Sequence, residues 1–387
     1  MKRHIVALGL ATAGAIVLGG GVALGQNVPQ QFVVSGKAAD KIQDFTTINL
    51  ATAERLAELC EKAVSARNGA HSIMVLDNDG NHVYSDRMDG QGYQNIVTAE
   101  FKARTALLGR APSKIYQNRV DQDATQEFHE YQLGFYPTAG GLPIVVNKQM
   151  IGVIGVGGFG PNPPVWSDEI CAHTALLEVI GPSVPPLVED LPRRPNNNPN
   201  NAPVPRFAAA SPPKSNLAAE FVVGGKGAAN VFDGNQISLA AAKKVARVCR
   251  DWVASRGGTM SLHILDNAGE LVHMERMDGQ VADDTRTSLL KAQTALRMRQ
   301  PTSIGDAQLK NNPGGFPRST VFWNYYAVSG GIPIVADGQM IGAVGVTVGA
   351  GGGDENCAIE GLKATFGEHV TLPVYQAAAE GGRPAPR

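Results

Sequence analysis

Apolar positions along the chain follow two periods that alternate in the same order twice. Leu50, Ala53, Leu56, Ala57, Cys60 and Val64 recur every three or four residues, the stripe of a helix with one buried face. Asn49 stands where such a helix needs its N-cap. The period then shortens. His71 to Leu76 and His82 to Arg87 predict two strands joined by the turn Asp77-Asn78-Asp79-Gly80. Ile96 to Leu108 returns to helical spacing, with Ala99, Ala103 and Ala106 inward and Lys102 and Arg104 outward.

A polar stretch dotted with aromatics, Tyr116 to Tyr136, leads into residues 140–157, GGLPIVVNKQMIGVIGVG. That segment predicts a β-hairpin turning at Asn147-Lys148. Its returning strand carries Gly152, Gly155 and Gly157. Strand glycines mark close approach of a ligand or of another backbone, here most simply the helix that follows. Asp168 is placed to cap that helix, which runs through Cys171, Ala175 and Leu177.

All of this recurs. Ser238-Leu239 repeats Asn49-Leu50, Arg276-Met277-Asp278-Gly279 repeats Arg87-Met88-Asp89-Gly90, and residues 330–347 repeat the glycine-rich hairpin with its turn at Asp337-Gly338. The offset is 189 from Asp77 to Asp266, from Asp89 to Asp278 and from Lys102 to Lys291, and 190 from Gly140 to Gly330. A near-constant offset means a duplicated domain, over residues 48–181 and 237–372. Residues 182–217 between the copies are rich in Pro and Asn, including Pro195-Asn196-Asn197-Asn198-Pro199, and predict an extended linker. Two hairpins per copy imply a mostly antiparallel sheet, an α+β fold with the helices gathered on one side.

Composition narrows the class. With 43% hydrophobic and 18% charged residues each half can build a core, and a formal net charge of -1 without a basic stripe argues against nucleic acid as a partner. Residues 1–25 read as a signal peptide: a basic Met1-Lys2-Arg3-His4, an apolar run from Ile5 to Leu24, and small residues at Ala23 and Gly25. The mature chain is therefore expected to be periplasmic or secreted, with no contact to the membrane after cleavage.

The ordered set D-x-x-G, R-M-D, K-A-x-T-A, GG-[LI]-PI-V and Q-M-I-G resembles the GlcG/HbpS (DUF336) family of haem-binding domains, across roughly 48–180 and 237–370. The family also includes the C-terminal domain of some corrinoid adenosyltransferases. The resemblance implies two copies of a profilin-like or PAS-like α/β/α domain. It also implies haem or a related tetrapyrrole as ligand, in some members haem-degrading or iron-related activity, and symmetric oligomers. Typical members have one domain, so the tandem is expected to form a pseudo-twofold dimer within one chain, which a higher homo-oligomer would extend. In a profilin-like layer the first and last helices lie side by side. This implies two disulfides, Cys60–Cys171 and Cys249–Cys357, in a chain that matures where disulfides persist; four buried thiols are the alternative.

Candidate ligand residues follow. Arg87 and Arg276 end their hairpins, with Lys102, Thr105, Lys291 and Thr294 on the next helix. Together they would suit an anionic group such as a propionate, against a reading as local ion pairs such as Arg276 with Asp278. The histidines (His71, His82, His129, His173, His263, His273, His369) show no paired metal-site spacing and no C-x-x-C-H. His263 and His273 are the metal candidates, because their equivalents Met74 and Tyr84 belong to haem-ligating residue types; the alternative is ordinary strand histidines. The glycines at 157–160 and 349–353 precede Asp168-Glu169 and Asp354-Glu355, which read as caps. Aromatics cluster before each Gly-Gly: Phe128, Tyr131, Phe135 and Tyr136, then Phe316, Phe322, Trp323, Tyr325 and Tyr326. They suit a flat apolar ligand or an interface equally. Besides a tetrapyrrole-binding protein, the chain could be a non-catalytic accessory or sensory partner of another exported protein. It could also be a small-molecule enzyme using Arg276, Lys291 and a histidine.

Overall fold

The structure is a computed structural model, described for residues 28–41, 46–158, 167–191, 215–225, 227–230, 234–311, 324–349 and 352–372. The expected signal peptide (residues 1–25), Pro195 to Pro199 of the linker, Phe159, Gly160, Phe316, Phe322 and Trp323 lie outside these residues.

The first copy runs α1 (Leu50–Ser65), β1 (Ser72–Asp77), β2 (His82–Arg87), α2 (Tyr93–Gly109), α3 (Lys114–Gln122), α4 (Gln126–Gln132), β3 (Gly141–Val146), β4 (Gln149–Gly157) and α5 (Asp168–Val179). The second runs α6 (Leu239–Ala254), β5 (Met260–Asp266), β6 (Leu271–Arg276), α7 (Ala282–Met298), α8 (Thr302–Asn311), β7 (Gly331–Ala336), β8 (Gln339–Val348) and α9 (Asp354–Phe366). Asn49 and Ser238 cap α1 and α6 through their side chains. Ser167, rather than Asp168, caps α5. The hairpin turns take two consecutive left-handed residues, Asn147-Lys148 and Asp337-Gly338, the geometry that matches strand twist in a two-residue loop.

All eight strands join one antiparallel sheet in the order β3-β4-β1-β2-β6-β5-β8-β7. The copies meet at its centre, where β2 pairs with β6 as Tyr84↔Glu275, Ser85↔Met274 and Asp86↔His273. Ser85 and Met274 are equivalent positions facing each other, so a pseudo-twofold axis passes between them. Edge-to-edge joining makes the two domains one body.

Helices cover both faces, which corrects the expectation that they gather on one side. Successive strand residues point to opposite faces. Ile73 and Val75 pack with α1 and α5, while Met74 and Leu76 pack with Ile96, Ala99 and Ala103 of α2. Each domain is therefore α/β/α. The strand glycines serve this layering: a Cβ on Gly155 would overlap the Ala99 carbonyl, and one on Gly345 the Ser288 carbonyl. The backbone that approaches belongs to the preceding helix, α2 or α7, and not to the one that follows.

Both disulfides are present, Cys60–Cys171 and Cys249–Cys357, with Cα separations of 5.2 and 4.6 Å. Each ties the first helix of its copy to the last.

Candidate functional site

The six residues assigned from sequence to an anionic ligand are all held by the protein itself. Arg87 donates to Asp266 Oδ2 at 2.6 Å and Arg276 to Asp77 Oδ2 at 2.6 Å, two buried ion pairs crossing between the copies. The remaining oxygen of each aspartate accepts backbone N–H groups of its own turn, Asp79 and Asn81 for Asp77, Ala268 and Glu270 for Asp266. Two residues past each arginine, Asp89 accepts from the Leu239 N–H and Asp278 from the Leu50 N–H, both at 2.8 Å. Each R-M-D-G thus grips the turn and the first helix of the opposite copy. The motif pair builds the interface, and the arginines pair across the copies rather than locally with Asp278.

Lys102 and Lys291 are buried, not outward. They donate to Asp168 and Asp354 at 2.7 and 2.6 Å and to the carbonyls of Val156 and Val346, tying the middle helix to the last strand and helix. Thr105 and Thr294 accept the Tyr136 and Tyr326 N–H groups, which anchors the aromatic segment. His263 is buried against Ser288 Oγ at 2.8 Å, and burial pulls its imidazole down to about 3. His273 lies on the opposite face and bonds Asp86; the two do not share a metal-ligating group.

Around His273, on the α1/α6 face of the junction, lies a buried cluster of charge. His273 Nδ1 meets Asp86 Oδ1 at 2.6 Å, and Lys243 bridges Asp86 at 2.8 Å and Glu61 at 2.9 Å. Arg250 joins Glu275 at 3.0 Å to Glu54 at 3.1 Å. The cluster borders a narrow cleft lined by Glu54, Glu58, Tyr84, Lys243, Arg247, Arg250, His273 and Glu275. At the 189-residue offset Glu54, Glu58 and Glu61 correspond to Lys243, Arg247 and Arg250. The two copies therefore meet with opposite charge where identical copies would meet with like charge. That reversal was open to inspection in the aligned helices.

Burial works against charge on Asp86, but Lys243 and His273 outweigh it and hold the carboxyl below its usual range. Burial also opposes charge on His273, yet Asp86 and Glu275 raise it to about 9. Burial and the charge of Asp86 push Glu61 upward. A raised folded pKa contributes stability that is full below the unfolded value and is lost as pH climbs through the folded one. Thermal stability should accordingly fall between pH ~6.5 and ~9, by on the order of 3 kcal/mol through His273 alone. Glu61 acts with the same sign. His273→Gln should flatten that part of the profile; an equal slope in wild type and variant would contradict the assignment.

The outer face of the first copy is different. Phe101 on α2 is 46% exposed, and Phe128, Tyr131 and Leu133 on and after α4 are 75%, 53% and 62% exposed. Phe101 and Tyr136 rings lie 5.9 Å apart, Tyr116 and Phe135 rings 4.4 Å apart, and the Tyr131 hydroxyl donates to Glu127 Oε1 at 2.6 Å. His129 on α4 is exposed, and its imidazole has no partner among the described residues. The Arg119 guanidinium sits 5.0 Å over the Tyr116 ring. Helices α3 and α4 carry no apolar stripe strong enough to be foreseen, so only the aromatics signalled this face.

The cleft is lined mostly by charged side chains, whereas the outer face presents exposed rings.

Residues 48–176 and 237–363 each match the family model described as "Haem degrading protein HbpS-like". A 15.0 kDa protein of Citrobacter freundii, encoded in the dhaT-dhaS intergenic region and described as uncharacterized, is 34% identical over 117 residues, 29% of this chain and 80% of that protein. Protein GlcG of Escherichia coli K12 is 33% identical over 89 residues, 23% of this chain and 64% of GlcG, just under two thirds of its length. Among solved structures, Klebsiella pneumoniae protein ORFY is 26% identical with a TM-score of 0.32, over 37% of this chain and 96% of that one.

Proposed function

The chain belongs to the HbpS-like family in both of its halves, and on that premise we propose that it is an exported protein binding haem or a related tetrapyrrole on its outer aromatic face. The observation that carries the proposal is the cluster of exposed rings on α2, α4 and the following loop, with the exposed imidazole of His129, which has no partner among the described residues, on the same helix. Such exposed apolar surface marks a binding site. Phe101, Tyr131 and Tyr136 would cover the macrocycle, His129 would offer the iron a nitrogen, and Arg119 would meet a propionate in a fork. Bound haem would supply the redox chemistry of its iron. The basic and apolar N-terminus, together with two disulfides, supports export to an oxidising compartment.

A second reading, docking of another exported protein, draws on the same exposed face. Titration with ferric protoporphyrin separates the two. Saturable binding with a shifted Soret band is expected, weakened at least tenfold by Phe101→Ser with Tyr131→Ser. No shift in the wild type would remove the tetrapyrrole reading and leave the docking one.

A further inference from the structure

A second constellation lies inside the first copy, on the opposite face of the sheet, and the haem reading does not use it. Cys60 of α1, Cys171 of α5 and His71, which directly precedes β1, are all fully buried. His71 Nε2 stands 3.5 Å from Cys171 Sγ. The other ring nitrogen, Nδ1, has no hydrogen-bond partner among the described residues. One nitrogen of His71 and the two sulfurs lie within 4.8 Å of one another. The His71 backbone N–H donates to Met88 Sδ at 3.4 Å, which fixes the residue at the start of β1.

A buried polar nitrogen without a partner costs on the order of 1–3 kcal/mol, so packing alone does not account for a histidine here. The second copy supplies the comparison: it keeps the disulfide but has Met260 at the position equivalent to His71. The fold therefore accepts an apolar residue at this place, and the imidazole distinguishes the first copy.

The geometry points to a zinc site in the first copy that the Cys60–Cys171 disulfide masks. A dithiol reductant delivers two electrons and two protons. The S–S bond breaks to two thiols, and the reductant closes to its own disulfide. Zn²⁺ then displaces the two thiol protons to solvent and takes the Cys60 and Cys171 thiolates and one His71 nitrogen as ligands, with water in the fourth position. Two thiolates and an imidazole are donors that zinc prefers in tetrahedral sites, and soft sulfur selects against calcium and magnesium. The site is closed while the chain is oxidised and opens when it is reduced.

The test uses the full mature chain, reduced anaerobically with a phosphine, which cannot compete through sulfur. Zn²⁺ is titrated against a chromophoric chelator, with far-UV circular dichroism recorded alongside. The expected result is about one tightly held zinc per folded, reduced chain and none in the oxidised chain. His71→Met, which installs the residue found in the second copy, should weaken that site at least tenfold with unchanged dichroism. Equal uptake by oxidised and reduced protein, equal affinity in wild type and His71→Met, or a reduced chain that takes up no zinc would each overturn the proposal.

Discussion

Arg87→Met is expected to destabilise the protein by about 3–5 kcal/mol, the cost of leaving one partner of a buried ion pair uncompensated. Asp266 is almost completely buried, and Arg87 is the donor to its Oδ2. Its other oxygen is already committed to the Ala268 and Glu270 N–H groups, so rotation cannot relieve the loss. Arg87 also donates to the carbonyls of Leu271 and Gln91, which lose their partner in the same step. The pseudo-twofold copy, Arg276→Met against Asp77, should cost a similar amount. Combining Arg87→Met with Asp266→Asn should recover part of the loss, because the stranded charge goes with it. Chemical denaturation followed by circular dichroism reads these differences. A loss under ~1 kcal/mol for Arg87→Met would mean that the pair behaves like an exposed one and that the junction is not built on it.

Removal of either disulfide ranks with it. The bridges span 111 and 108 residues, and closing loops of that length restricts the unfolded chain by about 4–5 kcal/mol on the chain-entropy estimate. Cys249→Ser with Cys357→Ser should approach that figure, since both sulfurs sit in the core shared by α6, α9 and the sheet. Two serine hydroxyls would then occupy an apolar site, adding to the loss. Equilibrium unfolding of the oxidised double variant checks this. A midpoint equal to that of wild type would show that the bridge adds nothing to a helix pair already fixed by packing.

The duplication, the hairpins and the first helix were legible because each rests on local spacing: a 3.6-residue stripe, a period-two run, a polar two-residue turn. The disulfide pairing was legible through the family layer order. The two-sided burial of β1 was also present, in an unbroken apolar run from Ile73 to Leu76, the pattern of a strand covered on both faces. The partners across the junction were not. Arg87 and Asp266 are 179 residues apart, and no periodicity encodes which strand edge meets which. Helical spacing places Lys102 outward, yet Asp168, 66 residues on, draws it inward. Pairing of charges overrode the hydropathy pattern at each of these positions.

Hydrogen–deuterium exchange on the protein, with and without ferric protoporphyrin, tests the placement of ligand most directly. Exchange should slow over α4 and residues 133–136 and along the exposed side of α2, with α1 and α6 unchanged around Glu54 to Glu61 and Lys243 to Arg250. Protection confined to those two helices, with none over 126–136, would contradict it and move the ligand to the charged cleft at the junction.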